Sequence, residues 1–310
     1  MTISTDQLLA IYRSAADAKD ERLLAATSRE LLTRVHNSNP YLYDYPTIPE
    51  DLSAFREFPY PPKSLTQFHE QIRWMMGAHP MHLYAPFVDK RTVLDYVRAR
   101  APQLVLNPVM TTTTLQELEA DLPFASMPVI AKLTNGCQAQ VALPNPKDSA
   151  ACHAALKRLA PKFIDTSRGL REYQYRFPPR VILQPLLDVI YEIKFVCVNG
   201  AVEFIRTVYK HEGELYRDLY NTKWEFLGSD RGAHSLRWPK PDKLDVLLGH
   251  ASSLAQPFQQ VRVDFMMDSK GRVFFGELTF TWRGGVSCSS LSREQSTHLA
   301  KLWSGGRDGD

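Results

Sequence analysis

The chain has 310 residues, 44% of them hydrophobic and 23% charged, a balance ordinary for a water-soluble globular protein with a sizeable core. Its net charge of +3 is too small to argue by itself for a nucleic-acid or membrane partner. Cys137, Cys152, Cys197 and Cys288 lack CxxC spacing, which argues against a structural zinc site, and no apolar run approaches the ~20 residues of a membrane span.

With no N-terminal signal pattern either, reduced thiols and a cytoplasmic location are expected. Ser4 with Gln7 makes a capping box for an N-terminal helix carrying Leu8, Leu9, Ile11 and Tyr12. Residues 37–62, rich in Pro, Asn and Tyr, read as an extended connection packed by its aromatics. Ser64 with Gln67 predicts a second capped helix reaching Gly77, and another helix starts near Asp89 and stops before Ala101-Pro102. Short strand-like runs follow at 105–109, 127–133 and 140–143, then a helix over 147–159. After Pro178-Pro179 come strands over 180–187, 191–198 and 201–209, the last two joined by Asn199-Gly200, the strongest short hairpin signal. An amphipathic helix over 242–255 precedes strands over 260–267 and 272–280, and the glycine-rich tail 305–310 is expected to be disordered. The fold class is α+β with mostly antiparallel hairpins.

Chemistry concentrates in the last hairpin. Val261, Val263 and Phe265 alternate with Arg262, Asp264 and Met266, giving one apolar face and one charged face. Asp268-Ser269-Lys270-Gly271 is a type I turn sequence. A turn centred between Ser269 and Lys270 sets Glu277 opposite Arg262, with Asp264 as its diagonal neighbour. Two carboxylates so placed suit magnesium, which takes one or two carboxylates plus substrate phosphates. Taken alone, the hairpin reads more readily as an Arg262–Glu277 salt bridge on a solvated face.

The surroundings shift that balance. In order stand Asp89-Lys90, Pro128-Val129-Ile130-Ala131-Lys132 before Asn135-Gly136, and Arg180-Val181-Ile182-Leu183-Gln184. Then come Glu192-Ile193-Lys194-Phe195-Val196-Cys197-Val198-Asn199-Gly200, Arg262-Val263-Asp264 and Gly276-Glu277-Leu278-Thr279. Over roughly residues 84–290 this series resembles the ATP-grasp superfamily, and in particular its TupA-like branch, associated with teichuronopeptide and other cell-surface polymer biosynthesis.

The resemblance implies ATP held between two α+β subdomains, and ligases that join a carboxylate to an amine through an acyl-phosphate. It divides the matched part into the N-terminal and lid parts 84–187 and a core 188–304 with the metal hairpin; the residues themselves set apart a mainly helical region 1–83 and the tail 305–310. It implies Mg2+ on Asp264, Glu277 and Thr279, with Thr279 where many members place asparagine. Lys90 and Lys132 match phosphate-binding lysines; Gln184, Leu186 and Leu187 match the adenine hinge. Glu192 orients Lys194 or meets the ribose. Arg262 and Lys194 are the expected catalytic cations, and Arg217 and Arg283 the expected grips on a substrate carboxylate or acyl-phosphate.

Departures stand beside the matches. The phosphate-covering loop 134–140 has a single glycine, Gln184 replaces a common acidic residue, and Ile193 replaces a usual tyrosine. Two rival readings follow: a kinase of the same superfamily, and single-stranded nucleic-acid binding by the basic, aromatic stretch 162–180.

Overall fold

The computed structural model describes residues 47–114, 117, 127–135, 139–145, 147–159, 180–212, 214–229, 235, 237–286 and 291–305, together with positions 7, 11, 14, 18, 20 and 23. The expected N-terminal capping box, most of the expected N-terminal helix, the tip of the phosphate-covering loop, the stretch 162–179 and the tail from 306 lie outside these residues. By internal contacts the chain forms two compact units, Met1–Pro46 with Met110–Leu183, and Thr47–Val109 with Gln184–Asp310.

The first unit is built on a four-stranded sheet in the order β1-β4-β2-β3: β1 Thr111–Thr113, β2 Val129–Leu133, β3 Gln140–Leu143 and β4 Val181–Pro185. Alternation on β2 buries Val129, Ala131 and Leu133. The helix Ser149–Leu159 presents Cys152, Ala155, Leu156 and Leu159, spaced at helical intervals, to the same core as those three. The strand expected over 105–109 is absent; Val105 makes one isolated bridge to Phe274, and the strand forms instead at Thr111–Thr113. Asn107 explains part of this, because its side chain and carbonyl are engaged with Pro185 and Gln184 rather than with a ladder.

The second unit carries a six-stranded, wholly antiparallel sheet in the order β10-β9-β5-β6-β7-β8. Its strands are β5 Val189–Val198, β6 Ala201–His211, β7 Glu214–Tyr220, β8 Phe226–Ser229, β9 Gln260–Asp268 and β10 Val273–Thr279. Asn199 and Gly200 have φ of 51° and 83° and form the expected tight turn between β5 and β6. One face of the sheet is apolar, with Ile193, Phe195, Val263 and Phe265 all fully buried. The helix Leu244–Ala255 packs on β5, β6 and β9, burying Leu247, Ala251 and Leu254.

Phe55, Tyr84, Phe87, Phe258 and Phe280 form one buried aromatic cluster, with ring centroids 4.7–5.4 Å apart along the chain of contacts. It fastens the short helical pieces Ala54–Glu57, Met81–Tyr84 and Ala85–Val88 to the sheet.

Two helix starts differ from expectation. The helix Phe68–Ala78 is capped three residues later than predicted, by Gln67 with Glu70, because Ser64 lies in the turn before it. The helix expected from Asp89 begins at Val93; the buried Asp89 carboxylate accepts from the Arg91 and Thr92 amides and holds a turn instead. No described helix is long and apolar enough to cross a membrane.

Candidate functional site

The charged residues gather on the face of the sheet opposite Ile193, Phe195 and Phe265. Cross-strand pairs share a face, and Glu277, Asp264, Lys194 and Arg206 stand in one row across β10, β9, β5 and β6. Thr279 and Arg262 occupy the row on one side; Met266, Glu192, Val208 and Arg217 occupy the row on the other.

The predicted register of β9 with β10 is wrong, and the error has two parts. The loop Ser269–Gly271 has three residues, since the Gly271 amide donates to the Asp268 carbonyl at 3.0 Å and Gly271 has φ of 73°. A type I turn followed by a left-handed glycine is the usual form of that loop. It shifts the pairing by one residue, so that Phe275 meets Phe265. That shift alone would turn Glu277 into the core. A β-bulge between Phe275 and Glu277 restores it, and Glu277 pairs with Asp264, Thr279 with Arg262.

Gly276 is the inserted residue. A Cβ at this position would lie 2.8 Å from the Asp264 carbonyl oxygen, a backbone atom unable to move aside cheaply. An isolated glycine inside a strand pattern is a recognised bulge signal, and Phe275-Gly276-Glu277 carries it.

Asp264 is the hub. Arg262 donates from Nε to Oδ1 and from Nη2 to Oδ2, both at 2.7 Å, and Lys194 Nζ donates to Oδ2 at 2.6 Å. Lys194 also pairs with Glu192 at 2.7 Å. Arg262 reaches Glu277 and Thr279 at 3.1 Å each and lies over the buried Trp282 ring at 5.8 Å. Burial opposes ionisation of Asp264, but Arg262 and Lys194 outweigh it and hold the carboxyl below its ordinary range. Burial likewise pulls Lys194 down, and Asp264 and then Glu192 more than reverse this, so the ammonium is held charged above its usual value.

The donor set fits magnesium. A carboxylate offers about four lone-pair sites, and three of those on Asp264 are taken, leaving room on Oδ1. Glu277 is 44% exposed and its contacts with Arg262 and Thr279 all fall on Oε1. Among the described residues no three His, Cys, Asp or Glu side chains converge as a closed metal cage.

The other predicted residues are placed as follows. Gln184 is buried and donates from Nε2 to the Asn107 carbonyl at 2.9 Å, while Asn107 Nδ2 donates to the Pro185 carbonyl at 3.0 Å. Leu186 and Leu187 follow β4 and are half-buried. Lys90 sits half-buried in the Asp89 turn. Lys132 lies on β2 in the first unit, opposite Gln140, whereas all the other candidates belong to the second. Arg217 is half-buried on β7, on the charged face. Arg283 is exposed, with φ of 49°, in the turn after β10. Arg206, Gly276 and Trp282 also belong to this neighbourhood, and residue order alone does not single them out as site residues.

A sequence model described as TupA-like ATPgrasp matches residues 70–298. The chain belongs to the TupA-like ATP-grasp family. No curated protein matches this family member in sequence. Among solved structures, N5-carboxyaminoimidazole synthetase from Staphylococcus aureus aligns at 12% identity and a TM-score of 0.41, covering 69% of this chain and 51% of that one. L-amino acid ligase from Bacillus licheniformis aligns at 15% and 0.43, covering 70% and 49%. D-alanine–D-alanine ligase from Bacillus anthracis, complexed with ATP, aligns at 14% and 0.46, covering 72% and 64%. The chain thus spans little more than half the length of the first solved proteins it matches, at 51%, 56% and 57%.

Proposed function

We propose that this ATP-grasp protein is an ATP-dependent ligase that activates a carboxylate as an acyl-phosphate and passes it to an amine or related nucleophile. The observation that carries this reading is the Asp264–Glu277 pair set across β9 and β10 by the Gly276 bulge, with Arg262 bonded to both carboxylates.

In the first step a substrate carboxylate oxygen bonds to the γ-phosphorus and the bond to the ADP oxygen breaks; in the second an amine displaces phosphate from the acyl carbon. Arg262 and Lys194, both held charged, stabilise the oxygens of the transferring phosphoryl group, so the catalysis is positioning and electrostatics without a protein nucleophile. Asp264, Glu277 and the Thr279 hydroxyl would hold magnesium, which when bound neutralises phosphate charge. Lys90 and Lys132 are assigned to the phosphates, Gln184, Leu186 and Leu187 to the adenine, and Glu192 to the ribose or to orienting Lys194. Arg217 and Arg283 are assigned to the anionic groups of the substrate. As the resemblance to the TupA-like branch implies, the proposed substrates are those of cell-surface polymer assembly.

The test is thermal unfolding with ATP plus magnesium. Wild type is expected to be stabilised by the pair, and Asp264→Asn and Glu277→Gln to lose that gain. A wild type indifferent to ATP with magnesium would overturn the nucleotide site. Product analysis then separates ligase from kinase: a ligase releases free phosphate and needs the amine for stable product.

A further inference from the structure

Two amide–proline pairs, Asn107-Pro108 and Gln184-Pro185, meet in the second unit. A proline confines the residue before it to extended backbone and supplies no N–H of its own, so both amide side chains leave stiff pieces of chain. Asn107 and Gln184 are 4% and 6% exposed, so each must place its polar ends inside the protein. Gln184 Nε2 donates to the Asn107 carbonyl at 2.9 Å, and Asn107 Nδ2 donates to the Pro185 carbonyl at 3.0 Å. Both acceptors are backbone carbonyls, which cannot donate, so chemistry fixes which end of each amide is nitrogen.

The two amide oxygens fare differently. Asn107 Oδ1 is sealed from solvent and has no partner, which is destabilising. A leucine there would avoid that loss but could not hold the Pro185 carbonyl, so stability alone does not account for the asparagine. Gln184 Oε1 is not among the sealed atoms and accepts from no described residue. With its nitrogen committed, the Gln184 side chain offers one acceptor and no donor. The Pro185 carbonyl beside it is already engaged, and Pro185 has no N–H. The segment carrying Asn107 is also held from its other end, where the Phe275 amide, next to the Gly276 bulge, donates to the Val105 carbonyl at 3.1 Å.

We infer that Asn107 is a positioning residue that locks the Gln184 amide as an acceptor, and that Gln184 thereby selects a purine with an exocyclic amine over one with a carbonyl in its place. This inference rests on the assignment of Gln184 to the adenine and deepens it by naming the group that is read. An adenine amine donates to Oε1, whereas the carbonyl of hypoxanthine or guanine sets lone pair against lone pair. A freely turning glutamine would serve either base by presenting its NH2 to the carbonyl; the bond to the Asn107 carbonyl prevents that turn. Discrimination then comes from the polar group left unpaired by the wrong base.

The test is calorimetric titration of the full chain with ATP–magnesium and with ITP–magnesium, which carries a carbonyl where adenine has its amine. Wild type is expected to bind ITP about 10–100-fold more weakly, the effect of replacing one hydrogen bond by a facing pair of acceptors. Gln184→Met, close in shape, is expected to bring the two affinities within about threefold, chiefly by weakening ATP. Asn107→Ala and Asn107→Asp, which cannot hold the Pro185 carbonyl, are expected to narrow the ratio chiefly by tightening ITP, because the released amide can turn. Asn107 variants that weaken both nucleotides alike and keep the wild-type ratio would mark a purely structural residue and overturn the lock. If they fail to fold, the side-chain amide signal of Gln184 in the NMR spectrum of wild type decides: slow hydrogen exchange is expected, and exchange as fast as that of exposed glutamines overturns the lock. Equal affinity of wild type for ATP and ITP, or a preference that survives Gln184→Met, overturns the inference while the nucleotide site stands. Binding of neither nucleotide overturns both.

Discussion

The hairpins β5–β6 and β9–β10 both place charged side chains on the same sheet face, and they reach that result by different local means. In β5–β6 the two-residue Asn199-Gly200 turn sets Val198 opposite Ala201, and a register shift at Glu203 then brings Lys194 opposite Arg206. In β9–β10 a three-residue loop shifts the register by one, and the bulge at Gly276 corrects it. The bulge in β6 falls on an ordinary residue, whereas the bulge in β10 falls where no side chain fits. Turn chemistry is local and tolerant of distant context; a bulge is decided by how closely the partner strand passes.

The two hairpins differ most in their tolerance of change where the second one meets the charge cluster. Replacing Asp264 by Ala leaves Lys194 and Arg262, both largely buried, without their shared carboxylate. A loss of about 3–5 kcal/mol in chemical denaturation is expected, the range for removing one partner of a buried ion pair. Asp264→Asn should cost less, since the amide oxygen still accepts.

Gly276→Val comes next. Its Cβ must enter the space of the Asp264 carbonyl, and a loss of about 1–3 kcal/mol is expected, typical of overpacking. The same variant should lose the ATP–magnesium shift more completely than its stability change accounts for, because Glu277 would be displaced. An unchanged nucleotide shift would show that the bulge does not set the site.

Gly200→Ala probes the other hairpin. Gly200 has φ of 83°, and an added Cβ would lie 3.2 Å from the Gln256 Cα. A cost of about 1–2 kcal/mol is expected from the left-handed backbone, with the ATP–magnesium shift retained. Smallest of all should be Glu203→Ala, within about 0.5 kcal/mol, since what it loses is one partly solvent-exposed contact with His298 at 3.3 Å.

Acid separates the cluster from its surroundings. The Asp264 pKa is lowered on folding, so its contribution is present above the unfolded value of about 4 and is lost as pH falls through the folded one. Lys194 is raised, so its contribution is complete below about 10.4 and is lost only as pH rises through its higher folded value. Between these limits the stability difference between wild type and Asp264→Asn should stay flat, and it should shrink on the acid side. A difference that varied across neutral pH would contradict the ion-pair account.

Much of this arrangement can be read from residue order. The strands β5, β6, β9 and β10 stand within a few residues of their predicted spans, because alternation of apolar and charged positions and the Asn-Gly and Asp-x-x-Gly turns are local signals. The placing of Asp264, Glu277, Lys194 and Arg262 on one face also follows from that alternation together with the resemblance to ATP-grasp proteins. The helix starts are harder to read, because Asp89 and Ser64 are equally good in turns and in caps, and only packing chooses between them. β7 carries no clear strand signal, although it holds Arg217, since its run Leu215 to Tyr220 sets a charge among apolar or aromatic residues on each face, Arg217 between Leu215 and Leu219 and Asp218 between Tyr216 and Tyr220.

Residue order is enough for the α+β class, the hairpin order and the set of charged residues, since each rests on propensities acting over a few neighbours. Which of those residues meet is settled only in the folded sheet. Folding makes Asp264 rather than Arg262 the cross-strand partner of Glu277, brings Arg206 opposite Lys194, and splits β7 between Arg217 on one face and Asp218 on the other. The physical reason is the two-residue period of a strand: a single inserted residue reverses every side chain beyond it, and whether one is inserted depends on backbone contact across the sheet.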